Sequence, residues 1–294
     1  MLSADLTTKA RTLGVRRSIE LDGIECVYYE YPASDSASET IVMIHGYRGN
    51  HRGLEAIAGG LGSNRVIIPD LPGFGESQQF TTRHDLETYS TWLNAFLENL
   101  GLSGGAYLVG HSFGTLVVGT YATKNRCKGI VLINPVSAPA LSGPRGFLTR
   151  ITSWFYHLST SLPESVGSWL LRSPIAVMVM SSVMAKTKDR KLRSWIHKQH
   201  LANFSDFASV AVASEGYDAS ISSDLSIMAP SIQSPVLIVA ATLDDITDID
   251  IQRRVVSKYP NANLVEIQGV GHLVHYEAPA QAATHISSFI ENFK

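Results

Sequence analysis

Cysteine is nearly absent from this sequence: Cys26 and Cys127 are the two among 294 residues. Two thiols make no disulfide framework, so a small cross-linked secreted scaffold is excluded and a reduced, buried pair is expected. An excess of one charge is also missing. Lysine and arginine total 24 against 26 acidic residues, a formal net charge of -2. With no basic bias and no block of like charge, nucleic acid is not an expected partner. Long apolar runs are lacking too. The longest, Ile175 to Met180, continues loosely to Ala185, far short of the ~20 residues that span a bilayer. The opening stretch MLSADLTTKARTLGVRR has no apolar h-region of the secretory kind, so a cytoplasmic location is the expectation. No internal repeat or low-complexity segment interrupts the chain. His45 with His51, and His197 with His200, lack further partners at metal-ligand spacing, so no metal is expected. What remains is 45% hydrophobic and 17% charged, the composition of a globular chain with a large core.

Within that composition, strand and helix patterns alternate. RRSIEL and IECVYYEY flank Asp22-Gly23, a strong hairpin turn. After a polar loop at 32–39 come a buried strand (TIVMIHG), a helix (GLEAIAGGLG), a strand (RVIIPD) and a second helix. That helix, DLETYSTWLNAFLENLG, places Leu86, Tyr89, Leu93, Phe96, Leu97 and Leu100 on one face. YLVGH, a helix from Phe113, and GIVLINP continue the order. Near the C-terminus PVLIVAA, DIDIQRRVVSKYP, ANLVEIQG and APAQAATHISSFIENF resume it. Strands apolar throughout, each followed by a helix, predict an α/β fold with a mostly parallel sheet covered on both faces. The alternation breaks between Val136 and Ile232, where the pattern is helical, punctuated by prolines, and holds Trp154, Trp169 and Trp195. A core of residues 1–135 and 232–294 with a helical lid inserted at 136–231 is the simplest account.

One short stretch carries chemistry. Gly110-His111-Ser112-Phe113-Gly114 joins a strand directly to a helix and fits G-x-S-x-G. Such a turn forces a strained backbone at its centre and leaves no room beside it for side chains. It lifts the Ser112 hydroxyl to the positive end of a helix. A serine needs a base, and the base needs orienting. LIVAATLDDITD places Asp244 just after a strand, and IQGVGHLVHYEAP places His272 in a glycine-flanked loop. The order Ser112, Asp244, His272 is the one this turn requires. An oxyanion would be held by the amides of Phe113 and of Tyr47, in the loop IHGYRGN. His45 there resembles a base but is expected to hold the loop by hydrogen bonding. Gly73-Phe74-Gly75 is a fragment of a dinucleotide fingerprint without its third glycine, so no cofactor is expected.

IVMIHGYRGN, RVIIPDLPGFGES, YLVGHSFGTLV, LIVAATLDDITD and GVGHLVHYEAP, in this order, resemble the capped α/β-hydrolase superfamily, in its esterase-like, serine-nucleophile branch. The resemblance covers roughly residues 17–135 and 232–292. It implies hydrolysis of an ester-like acyl bond of a small, largely apolar substrate through an acyl-enzyme, without a cofactor. Carbon–carbon hydrolases share the same triad, and lid-gated small-molecule receptors share the fold, so both stand as alternatives. Relatives that open epoxides or displace halide carry aspartate where Ser112 stands. The usual G-x-x-D-P of the acid loop is here Ala241-Thr242-Leu243-Asp244-Asp245, so a second carboxylate competes with Asp244. HGGPG and HGSGPG, typical of iminopeptidases and of many carbon–carbon hydrolases, are absent. Trp154, Phe155, Trp169, Leu170, Leu171 and the IAVMVM run are expected to divide between core packing and an apolar acyl pocket. Arg48 and Arg145 leave some room for an anionic group.

Overall fold

A computed structural model describes residues 2–34, 38–139 and 146–293. The chain opens with a helix, α1 (Ser3–Leu13), whose polar composition hides a narrow buried stripe at Ser3, Leu6, Thr7 and Ala10. The expected hairpin follows as β1 (Val15–Leu21) and β2 (Ile24–Tyr31). Asp22 and Gly23 both lie at positive φ, 50° and 78°, the combination that matches a two-residue turn to the twist of its strands. Alternation then proceeds through β3 (Thr40–Ile44), α2 (His51–Gly60), β4 (Arg65–Pro69), α3 (Leu86–Asn99), β5 (Tyr107–His111), α4 (Phe113–Ala122) and β6 (Gly129–Ile133). Helix α1 crosses α2 closely: a Cβ on Gly59 would stand 2.2 Å from the Leu6 carbonyl oxygen, so only glycine admits the crossing.

From here, among the described residues, the chain forms no sheet strand for about a hundred residues. It runs through α5 (Gly146–Thr160), α6 (Glu164–Leu171), α7 (Pro174–Met184), α8 (Arg190–Asn203), α9 (Val210–Ile221) and α10 (Leu225–Met228). The sheet then resumes with β7 (Val236–Ala241), α11 (Ile249–Val255), β8 (Ala262–Ile267), α12 (Val274–Glu277) and α13 (Pro279–Glu291).

The eight strands form one sheet in the order β1-β2-β4-β3-β5-β6-β7-β8. From β4 to β8 neighbours are parallel; β1 and β2 are antiparallel additions at one edge. Period-two alternation divides the central strands between two buried layers. Val42, Leu108, Leu132 and Ile238 face α3 and α4, while Ile41, Val109, Val131 and Val239 face α2 and α13. Because both faces are covered, β5, β6 and β7 are buried along their whole length. Strands β6 and β7 pair directly, Ile130 opposite Val236, so the helices between them are an excursion from the sheet's C-terminal edge.

Side chains of that excursion depart from the expected division. Leu171 and Val177 are buried, but Trp154, Trp169 and Ile175 are 64%, 74% and 76% exposed. Those three join neither the core nor an enclosed pocket. Cys26 is buried, with its sulfur accepting the Trp92 indole N–H at 3.2 Å, and Cys127 is half-buried; both are free thiols.

Candidate active site

Ser112 is the hinge between β5 and α4, at φ 51° and ψ −116°, outside the regions that L-residues ordinarily occupy. Its two flanking glycines are sterically required. A Cβ on Gly110 would lie 2.6 Å from the Gly114 carbonyl oxygen, and one on Gly114 would lie 2.2 Å from that of Ile44. The helix therefore turns back over its own strand and passes the end of β3 only with both glycines in place. The Ser112 N–H is held by the Ile133 carbonyl at 3.0 Å, and its own carbonyl accepts from the Thr115 hydroxyl at 2.5 Å.

Two loops that are distant in sequence meet this hydroxyl. His272 Nε2 is 2.9 Å from Ser112 Oγ, and His272 Nδ1 is 2.8 Å from Asp244 Oδ2. Asp244 is further fixed: Oδ1 accepts the Ile246 and Thr247 N–H groups at 2.7 and 3.1 Å, and Oδ2 accepts the Thr247 hydroxyl at 2.6 Å. Burial pushes its pKa up, but attraction to His272 and these hydrogen bonds outweigh burial, and the net shift is downward. The carboxylate is thus held ionised against the imidazole. The adjacent Asp245 turns away to an ion pair with Lys186, so geometry separates the two carboxylates.

The loop after β3 packs against the same serine. A Cβ on Gly46 would stand 3.4 Å from Ser112 Cβ, so the residue before Tyr47 lies against the serine turn. Among the described residues no acceptor takes the N–H of Tyr47 or of Phe113. His45 holds this loop, as expected. Its Nε2 accepts the Leu71 N–H at 2.9 Å, so Nδ1 carries the proton and donates to the Gly46 carbonyl at 2.9 Å. The Tyr47 ring sits among Phe74, Tyr156 and Tyr217, with centroids about 6 Å away, making an aromatic wall beside the loop.

Arg48 is not available to an anion, contrary to expectation. It is buried at φ 57°, donating to the carbonyls of Phe204 and Leu171 at 3.0 and 2.8 Å and to the Tyr156 hydroxyl at 3.1 Å. Its guanidinium also lies over the rings of Phe204 and Phe207, at 4.6 and 5.1 Å. It ties the inserted helices to the Tyr47 loop. Arg145 lies outside the described residues.

Three further residues shape the site without a signal in the local sequence. Asn134, at φ 45° just after β6, donates from Nδ2 to the His272 carbonyl at 2.9 Å and accepts the Ala241 N–H on Oδ1 at 2.9 Å. One carboxamide thus joins the end of the strand that leads to Asp244 to the loop that carries His272. Glu277 accepts the Gly271 N–H at 2.6 Å on one oxygen and the Lys186 and Thr187 N–H groups on the other. His111 shares Nε2 between the His272 carbonyl, at 3.2 Å, and His275 Nδ1, at 3.1 Å. Burial, aided by repulsion from His272, pushes the His111 pKa down to about 3. It stays neutral and adds no charge beside His272.

Comparison with known proteins agrees with this architecture. Residues 39–279 match the alpha/beta hydrolase fold family. Lipase 1 of Psychrobacter immobilis is 34% identical over 122 residues, 41% of this chain and 36% of the lipase, so the chain spans about a third of that relative's length. Pimeloyl-[acyl-carrier protein] methyl ester esterase of Shewanella oneidensis is 28% identical over 231 residues, covering 76% of this chain and 79% of the esterase. A thermophilic esterase from Thermogutta terrifontis superposes with a TM-score of 0.75 at 20% identity, over 95% of this chain and 99% of the other, a likeness of fold. With a parallel sheet in this order, a strained serine turn after β5 and a family match across most of its length, the chain belongs to the alpha/beta hydrolase family.

Proposed function

We propose that the chain is a serine hydrolase that cleaves an ester-like acyl bond of a small, largely apolar substrate. The observation that carries this reading is the unbroken hydrogen-bonded path from Ser112 Oγ through both nitrogens of His272 to Asp244. In this mechanism His272 Nε2 takes the Ser112 proton as Oγ attacks the carbonyl carbon. Asp244 keeps the other ring proton on Nδ1 and stabilises the imidazolium. The N–H groups of Tyr47 and Phe113 receive the oxyanion. Collapse of the tetrahedral species expels the alcohol, which leaves with the proton from His272. Water then attacks the acyl-enzyme, giving its proton to His272, and the acid departs as Ser112 Oγ regains that proton. Kinship with esterases and a lipase supports ester hydrolysis in general. The aromatic wall around Tyr47 supports an apolar substrate.

Fluorophosphonate labelling tests the nucleophile. Ser112→Ala should abolish labelling and lower kcat by on the order of 10³-fold or more. Labelling retained at another serine overturns the assignment. Turnover of p-nitrophenyl acetate, propionate, butyrate and hexanoate tests the substrate class. Burial of each added methylene is worth ~0.8 kcal/mol, a factor of about 4 in kcat/KM per carbon until the acyl site is full. A steady fall from acetate onward shows a small or polar acyl site. No ester turnover beside cleavage of a vinylogous diketone assigns carbon–carbon hydrolysis, and neither activity assigns a receptor.

A further inference from the structure

Helices α6 and α7 present an apolar face that no other part of the described chain covers. Val166, Trp169, Ile175, Val179 and Val183 are exposed. An open trough of about 540 Å³ between α7 and α8 is lined chiefly by Ile175, Met178, Val179, Val183 and Leu201. Residues 164–184 have the length and apolar character of a membrane-crossing helix, yet most of the stretch is not buried. They do not form one helix. Arg172 and Ser173 break the stretch before Pro174, leaving α7 with 11 residues. A helix of that length reaches ~16 Å, against a hydrocarbon core of ~30 Å. It can lie along a bilayer surface but cannot cross it.

Cations outnumber acids beside this face. Lys188, Arg190, Lys191 and Lys198 are exposed, and among the described residues none of them is in an ion pair. Lys186 and Arg193, by contrast, are engaged, with Asp245 and with the Thr187 carbonyl. Of the acids here, Asp189 caps α8 by accepting the Lys191 and Leu192 N–H groups, and Glu164 accepts the Val210 N–H. Lys191 and Lys198 are seven residues apart and share a side of α8, and Lys198 is one turn from Leu201 in the trough. A second copy packed on this face about a two-fold axis would gather the cations of both copies at one interface. Hydrocarbon beneath a negatively charged surface complements both features at once.

We infer that the α6–α7 face and the basic side of α8 dock this chain on an anionic phospholipid surface. The docked face ends beside the candidate site: a Cβ on Gly271 would stand 2.6 Å from the Met184 carbonyl oxygen, next to the loop that bears His272. The inference does not depend on which bond is cleaved.

The 294-residue chain, sedimented with vesicles of phosphatidylglycerol or of phosphatidylcholine at low and high salt, tests it. The chain should partition onto phosphatidylglycerol and be released by salt, with little partition onto phosphatidylcholine. The double variant Ile175→Asp/Val179→Asp should lower partition at least about tenfold. Lys191→Glu/Lys198→Glu should lower it about tenfold at low salt. Circular dichroism and Tm verify that each variant is folded. No partition, equal partition onto both lipids, or partition unchanged in folded variants overturns the inference. A concentration-dependent dimer in analytical ultracentrifugation that Ile175→Asp/Val179→Asp dissolves also overturns it, and assigns the face to a second copy.

Discussion

Asp244 and Asp245 are neighbours in the chain with different work to do. Asp244 holds His272 Nδ1, while Asp245 is 43% exposed and paired with Lys186. Removing the charge that orients a base lets the imidazole adopt the wrong tautomer, which costs about 10⁴-fold in the serine protease case. Asp244→Asn is therefore expected to lower kcat/KM severely, while Asp245→Asn lowers it about tenfold or less. Equal or reversed losses in steady-state kinetics would transfer the orienting role to Asp245. Asn134 permits a sharper test. Asn134→Ala leaves the Ala241 N–H unpaired in the interior and the His272 carbonyl with only its longer contact to His111, at a cost of about 2 kcal/mol. Asn134→Asp tolerates the same left-handed backbone but cannot donate to the His272 carbonyl. If the carboxamide positions His272, both variants lose kcat at little change in KM. Rescue by Asp alone would show that only the backbone conformation matters there.

At the scale of elements, two side chains attach the inserted helices to the loops of the candidate site. Glu277, at the end of α12, holds the link between α7 and α8 together with Gly271. Arg48 holds the ends of α6 and α8 through Leu171 and Phe204. Arg48→Ala leaves three acceptors without their donor, and hydrogen bonds to a charged group contribute about 1.5–3 kcal/mol each. The variant should lose about 3 kcal/mol or more in urea unfolding. Limited proteolysis should cut it first within residues 164–208, ahead of the sheet. Arg48→Lys should recover part of the loss, since an ammonium keeps the charge but cannot reach all three acceptors in one plane. Wild-type stability in Arg48→Ala would mean that aromatic packing alone holds these helices.

The molecule as a whole carries a pH dependence set by histidines buried without charge. Burial, with His272 adding repulsion, pushes His111 down to about 3. Burial, with His197 and His272 adding repulsion, pushes His200 down to about 4. His275 is likewise driven well below its ordinary value by burial and then by His111. In the unfolded chain these groups titrate near ~6.5. Below that pH the unfolded state binds protons that the native state refuses, so stability is full above ~6.5 and falls as pH drops toward the folded values. Each histidine contributes a slope of about 1.4 kcal/mol per pH unit across that window. Urea unfolding from neutral pH down to about pH 5 should show the fall, and His200→Gln should reduce the slope by about one proton. An unchanged slope in His200→Gln would show that His200 is protonated in the native state.

The hairpin turn, the sheet's alternation and the serine turn were legible in the sequence because each rests on local rules. Asp22-Gly23 suits positive φ, apolar strands suit burial on both faces, and Gly110 and Gly114 mark a turn with no room for a Cβ. Motif order also carried the pairing of Ser112 with Asp244 and His272. Helix α1 escaped because its stripe is mostly small and polar, with Leu6 as its one large apolar side chain. The remainder was decided in three dimensions. Asn134 reaches partners 107 and 138 residues away, and Arg48 reaches partners 108 to 156 residues away. No periodicity or turn preference encodes such contacts, because they depend on which strand ends the sheet order brings together. The same is true of the exposed tryptophans. Composition marks Trp154 and Trp169 as apolar, but only the packing of α5 and α6 determines that they face outward.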